Sequence, residues 1–134
     1  MEFALVLPML LLVVLGIAEF GFIFQRYEVL TNAAREGARI ASLPGYSNAD
    51  VQARVAAYVT AGRVPTTGTN PVVAVTDVAI PTTPGGPVLT AKRVTVTYQH
   101  TYMFLRGIGS WFGATYATVP LRAVSEMRIE IAGL

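Results

Sequence analysis

FALVLPMLLLVVLGIAEFGFIF, Phe3 to Phe24, decides how the rest of the chain is read. Its twenty-two residues carry one charge, Glu19, and the sixteen from Phe3 to Ala18 carry none. As a helix rising 1.5 Å per residue the stretch would be about 33 Å long, against about 30 Å of hydrocarbon in a bilayer. Eleven Leu, Val, Ile or Phe residues lie between Phe3 and Ile17. Each favours insertion by about 0.3 to 0.6 kcal/mol, while an acid at mid-bilayer costs about 3. The sum predicts a retained anchor over 1–24, with Glu19 near one end. A cleaved secretory signal would instead open on basic residues and close on a small-residue cleavage site.

The helical period continues beyond the apolar run. Phe20, Ile23, Phe24, Tyr27, Leu30, Ala34, Ala38 and Ala41 recur at three and four, with Gln25, Glu28, Asn32, Arg35, Glu36 and Arg39 largely between them. This predicts one helix from Glu2 to about Ser42, with at most a bend at Pro8, whose outer part over 25–43 is an amphipathic stalk with a small alanine face. Glu36 and Arg39 are placed to pair at i,i+3. Leu43, Pro44 and Gly45 supply the stop.

Residues 44–134 then read as a head. Ser47, Asn48 and Asp50 form an N-cap cluster before Val51, Val55, Tyr58 and Val59, a short second helix ending at Gly62. Val72 to Ile80 and Val88 to Tyr98 read as strands joined by the loop PTTPGGP, hence an antiparallel hairpin. A further strand over Tyr116 to Ile131 is expected to bend or bulge near Val124 and Ser125. The expected class is α+β, with one short helix and three or four antiparallel strands. Val55, Val94, Val96, Tyr98, Leu121 and Ile129 are the expected core, with helix residues Leu30 to Ala41. Between the last strands, Tyr102 to Gly113 packs Met103, Phe104, Leu105, Trp111 and Phe112 into twelve residues. Buried aromatic segments of this kind usually cover a sheet as a short helix or packed loop. The alternative is an interaction patch of Phe104, Trp111 and Phe112 against a partner or the bilayer surface.

Composition narrows the chemistry. The chain has 134 residues, 53% of them hydrophobic and 13% charged, with net charge +2 and no cysteine. That charged fraction is about half the usual value, which excludes a solvated disordered chain. Thiolate metal sites and cysteine nucleophiles are excluded. A single histidine, His100, rules out a two-His metal site, and its place at a strand end reads as structural or exposed. The acids are singletons, no Gly-x-Ser-x-Gly elbow exists, and Gly107-x-Gly109 has no third glycine or Walker lysine. No enzyme, cofactor or metal is expected. The ten basic residues are scattered, only Lys92 and Arg93 being adjacent, so nucleic acid is not an expected partner.

The residues that stand out are acids beside lipid. Glu2 precedes the apolar run and Glu19 lies inside its far end. An intramembrane carboxylate is by default a functional residue with a partner to be found, whereas one near the end of a span can simply face water. Arg26, Arg35 and Arg39 follow the span and no basic residue precedes it in the sequence, so the positive-inside rule taken literally puts the head in the cytoplasm.

MEFALVLPMLLLVVLGIAEFG, followed by FQRYEVLTNAAREGARIAS, resembles the TadE-like family of minor pilins, or pseudopilins, of tight adherence (Tad or Flp) pilus and secretion systems. The resemblance rests on Glu2-Phe3-Ala4-Leu5 before Pro8, on Glu19-Phe20-Gly21, and on Thr31-Asn32-Ala33-Ala34-Arg35-Glu36-Gly37-Ala38-Arg39. It is looser over VPLRAVSEMRIE, Val119 to Glu130, and extends to layout alone over 46–89. It implies a basic leader removed by a prepilin peptidase, which would reverse the charge asymmetry and set the head in the periplasm. It also implies that Glu2 is the glutamate near the start of the mature chain. Glu2, Phe3, Pro8 and Glu19 are then the expected assembly residues, other pilin subunits and the assembly machinery the expected partners, and the bacterial inner membrane or an extracellular pilus the expected location. In a bundle of such rods the Glu2 carboxylate can pair with a neighbouring subunit's terminal ammonium, an interaction that low dielectric strengthens. A single-pass, membrane-tethered binding module that is not a filament subunit is the alternative reading.

Overall fold

The structure, a computed structural model, describes residues 2–68, 70–81, 83–86, 88–111, 113 and 118–129. One helix, α1, runs unbroken over Glu2–Ala41 and passes through Pro8, Gly16 and Gly21. A glycine inside a helix costs only about 1 kcal/mol, and surrounding periodicity outweighs it. The end comes where Ser42 Oγ donates to the Arg39 carbonyl and the Leu43 amide turns back to Ile40. Helix α2 covers Asn48–Ala61. Of the three candidate caps, Ser47 is the one used: its Oγ accepts the Asp50 amide while its own amide donates to the Asp50 carboxylate at 2.9 Å, a reciprocal capping box.

Strands β1 (Val72–Pro81), β2 (Val88–His100) and β3 (Val119–Arg128) form one antiparallel sheet in the order β1-β2-β3. The predicted α+β architecture and hairpin are present, with three strands among the described residues. The expected bulge near Val124 and Ser125 is not: every β2–β3 pair from His100↔Val119 to Ala91↔Arg128 follows one register. Period two keeps Val119, Leu121, Ala123 and Ser125 on the same face, so the sequence there contains no change of side to accommodate. Charged residues meet directly across the ladder, Lys92 with Asp77 at 2.6 Å and Arg93 with Glu126 at 2.5 Å. Strand β2 also runs two residues further than the alternation to Tyr98 predicts, ending at His100.

The inner face of the sheet packs on α1, whose outer half is the centre of the head. Leu30, Ala33, Ala34 and Ala38 of α1, Val51, Val55 and Val59 of α2, and Val94, Val96, Tyr98, Leu121 and Ala123 of the sheet are buried together. Ile129, expected in this core, is only half-buried because β3 ends one residue before it. Small residues on α1 set how closely its neighbours approach. A Cβ on Gly37 would lie 2.5 Å from Val55 Cγ2 and 3.2 Å from Val94 Cγ1, so α2 and the sheet both close over that position. Gly62 plays the same part from the other side, where a Cβ would meet Val29 Cγ1 at 2.5 Å. The residue that takes the left-handed conformation ending α2 is Arg63, at φ 57°, and not the neighbouring glycine. Glu36 binds Arg39 through both carboxylate oxygens, as the spacing predicts, and reaches Arg54 of α2 at 3.3 Å.

The aromatic segment departs from expectation in its place. Its described part forms the short helix α3, Leu105–Trp111, which lies against α1 and not over the sheet.

Candidate functional site: a polar joint between rod and head

Glu19 and Arg26 sit seven residues apart on the stripe of α1 that continues through Leu30, Ala34 and Ala38, and that stripe faces the sheet. On β2 the inward row runs Val94, Val96, Tyr98 and, by the same period of two, His100. Because β2 runs back down alongside α1, its last inward residue arrives at the level of Glu19. His100 is fully buried and Glu19 is 1% exposed.

Three donors close around this carboxylate. His100 Nε2 donates to Glu19 Oε1 at 3.1 Å. The Met103 amide donates to the same carboxylate at 2.9 Å and the Phe104 amide to Oε2 at 2.8 Å. Arg26 Nη1 donates to His100 Nδ1, which leaves the single imidazole proton on Nε2, facing Glu19. The guanidinium also lies 5.9 Å over the Tyr98 ring. A carboxylate and a guanidinium are thus joined through a neutral imidazole, and the set carries no net charge. Burial, reinforced by the neighbouring Arg26 cation, holds the His100 imidazole below the usual histidine range against the opposing pull of the Glu19 carboxylate. Glu19 does not face water: it is buried, and its hydrogen-bond donors are in the same chain.

The joint also fixes α3. Two residues, Thr101 and Tyr102, separate His100 from the backbone amides bound by Glu19, so the chain reverses at the foot of the head and α3 starts beside α1. Phe22 and Phe104 are in ring contact at 6.3 Å, and the His100 and Tyr102 rings meet edge to face at 5.7 Å. Phe104 is 37% exposed and Met103 56%. The backbone of Trp111 ends α3, while Phe112 lies outside the described residues.

Below the joint, α1 stands alone. Phe3, Val6, Met9, Leu10, Val13 and Ile17 are exposed, an apolar surface with no partner element in the chain among the described residues. Pro8 lies in this free stretch without interrupting the helix. Glu2 is helical in its backbone, and its side chain lies outside the described residues. The structure does not bring Glu2, Phe3 and Pro8 together with Glu19, which is more than two turns further along. Sequence reasoning missed Arg26, His100 and the Met103 and Phe104 amides as Glu19's partners. Signals existed for two of them, since Arg26 lies seven residues from Glu19 on one helix face and His100 continues the row of Val94, Val96 and Tyr98; none marked the two amides.

An open cleft of about 480 Å³ adjoins Arg26, lined also by Asn70, Tyr98, Gln99 and Thr101; among the described residues Arg26 is its only charged lining residue. Among the described residues no three His, Cys, Asp or Glu side chains are grouped to hold a metal ion. Residues 1–39 match the family described as TadE-like protein. Over this stretch the rod is similar to TadE-like proteins. The TadE-like match covers less than a third of the chain and stops within α1, two residues short of its end. The helix that carries the match is long and apolar enough to cross a membrane over Val6–Ala41. No curated protein and no solved structure matches the chain.

Proposed function

We propose that this TadE-like protein is a minor pilin or pseudopilin that supports assembly of a Tad-type pilus used in adhesion or secretion. In this reading residues 1–24 anchor it in the bacterial inner membrane, 25–43 form the stalk, and 44–134 form a head held in the periplasm or carried into the extracellular pilus. The observation that supports it is the coincidence of the TadE-like match over 1–39 with a rod whose first half exposes apolar side chains on every side. Such a surface suits either lipid or a bundle of like rods, and exchange between the two is what subunit extraction into a filament requires. Glu2 is the residue on which this reading turns, since its carboxylate at the rod's start can neutralise a neighbouring subunit's terminal ammonium.

The test is Glu2→Ala in cells that make the pilus. Membrane insertion and head folding need no charge at Glu2 and stay intact, while incorporation falls more than a hundredfold, since losing one partner of a desolvated pair costs about 3 to 5 kcal/mol. Glu2→Asp keeps the charge at shorter reach and retains part of the incorporation. A pilus count unchanged in Glu2→Ala overturns the assembly role and leaves a membrane-tethered binding module.

A further inference from the structure

We infer that α3 and the turn before it are a membrane-seated foot: Met103, Phe104 and the residues of α3 lie at the boundary between acyl chains and headgroups, and their occupant is the bilayer surface itself. The rod's dimensions carry this. The charge-free stretch between Glu2 and Glu19 is sixteen residues, about 24 Å of helix at 1.5 Å per residue. A hydrocarbon core is about 30 Å thick, so an upright rod with Glu2 at the far boundary is about 6 Å too short to span before the head begins. The level at which the head begins is set by Glu19, whose carboxylate binds the Met103 and Phe104 amides. Those amides, and α3 beginning at Leu105, are therefore carried to the depth where the hydrocarbon ends.

The groups found there suit that depth. Glu19, which would be costly against lipid, is 1% exposed because His100 and the two amides cover it. Phe20, Phe22 and Phe24 continue the rod's apolar surface past Glu19, all exposed, and Phe104 joins that surface through its contact with Phe22. From Thr101 to Gly113 the sequence holds a single charge, Arg106, which is exposed and has the sign that anionic headgroups attract. A short apolar helix with one cation, fixed sideways to a membrane anchor, is an interfacial element.

Trp111 is the only tryptophan in the chain and sits at the end of α3, which makes its fluorescence a direct probe. The full chain is reconstituted in phosphatidylcholine vesicles in which the acyl chains carry bromine at either the 6,7 or the 11,12 positions. Trp111 emission is expected to be quenched more by the shallow bromines than by the deep ones, and little by aqueous iodide. A Met103→Trp probe in a Trp111→Phe background is expected to give the same order. Quenching by iodide with no effect of bromine at either depth overturns the foot, and so does protection from both quenchers. A Val13→Trp probe in the same background separates this from the anchor: strong quenching there by the 11,12 bromines, with none at residues 103 and 111, refutes the foot alone. No bromine quenching at any of the three refutes the anchor itself.

Discussion

Glu19 and Phe104 are 85 residues apart in the chain, and the Phe104 amide donates to Glu19 Oε2 at 2.8 Å. A rod acid thereby holds the turn that reverses the chain between β2 and β3, and the head is fastened to its anchor at the point where the two separate.

Replacing Glu19 should consequently loosen the head. Glu19→Ala leaves the Met103 and Phe104 amides and His100 Nε2 without their acceptor and leaves Arg26 without its balancing charge. A loss of about 3 to 5 kcal/mol is expected, the range for breaking a buried, hydrogen-bonded charge set. Glu19→Gln keeps one acceptor oxygen and should cost less. Denaturant unfolding of the full chain in detergent micelles, followed by near-ultraviolet circular dichroism, measures both. A Glu19→Ala midpoint equal to the parent's would contradict the fastening role.

The joint also predicts how stability depends on pH. His100 is held below its ordinary pKa, so in acid the unfolded chain takes up a proton that the folded chain refuses. Its contribution is therefore complete above the unfolded value of about 6.5 and is lost progressively as pH falls. Protonation would place an N–H on Nδ1 facing the Arg26 guanidinium, which itself donates there. The groups around the imidazole are Glu19 and Arg26 from α1 and Tyr102 from the turn. Asp50, lowered by its hydrogen bonds to Ser47, acts in the same direction at lower pH: its contribution is present above about 3.9 and lost as pH drops through its folded value. Melting temperature should fall between pH 7 and pH 5, and His100→Gln should flatten that slope while preserving a donor to Glu19. A slope identical in the variant would remove His100 as its source.

Two glycines of one helix should respond in opposite ways to the same change. Gly37→Ala forces a methyl to 2.5 Å from Val55 Cγ2, and the overpacking should cost about 1 to 3 kcal/mol. Gly21→Ala meets nothing within 4 Å and should raise stability by about 0.5 to 1 kcal/mol through helix propensity. Thermal unfolding in micelles compares them, and equal shifts of one sign would show that α2 and the sheet do not close on Gly37 as described.

The end of α2 gives a similar contrast between adjacent positions. Arg63→Gly relieves a left-handed backbone at φ 57° and should stabilise by up to about 1 kcal/mol, whereas Gly62→Ala drives a methyl into Val29 and should destabilise. Stabilisation by Gly62→Ala would mean that the approach of α2 to α1 there is looser than the structure has it.

Much of this molecule is local and was therefore open to reading from the sequence. The three-and-four recurrence from Phe20 to Ala41 specifies a continuous α1, because a helix repeats every 3.6 residues whatever packs against it. Ser47 and Asp50 specify the start of α2 through atoms three residues apart. Alternation and the proline and glycine loop specify the β1–β2 hairpin, and the order of elements with the apolar excess specifies an α+β head on an anchor.

Tertiary structure decided what lies across long stretches of chain. Nothing near Glu19 in the sequence selects His100, 81 residues away, as its partner. That pairing needs β2 to run antiparallel to α1, and it needs its inward row to continue two residues beyond the last obvious alternation. Glycine 62 looks like a helix terminator, yet its lack of a side chain serves the approach of Val29 from another helix, a contact that no local pattern encodes. The aromatic segment read first as a cover for the sheet and alternatively as a patch. Its place beside the rod was settled by two backbone amides that a single distant carboxylate could bind, because local periodicity fixes which face of an element is apolar and only packing fixes what that face meets.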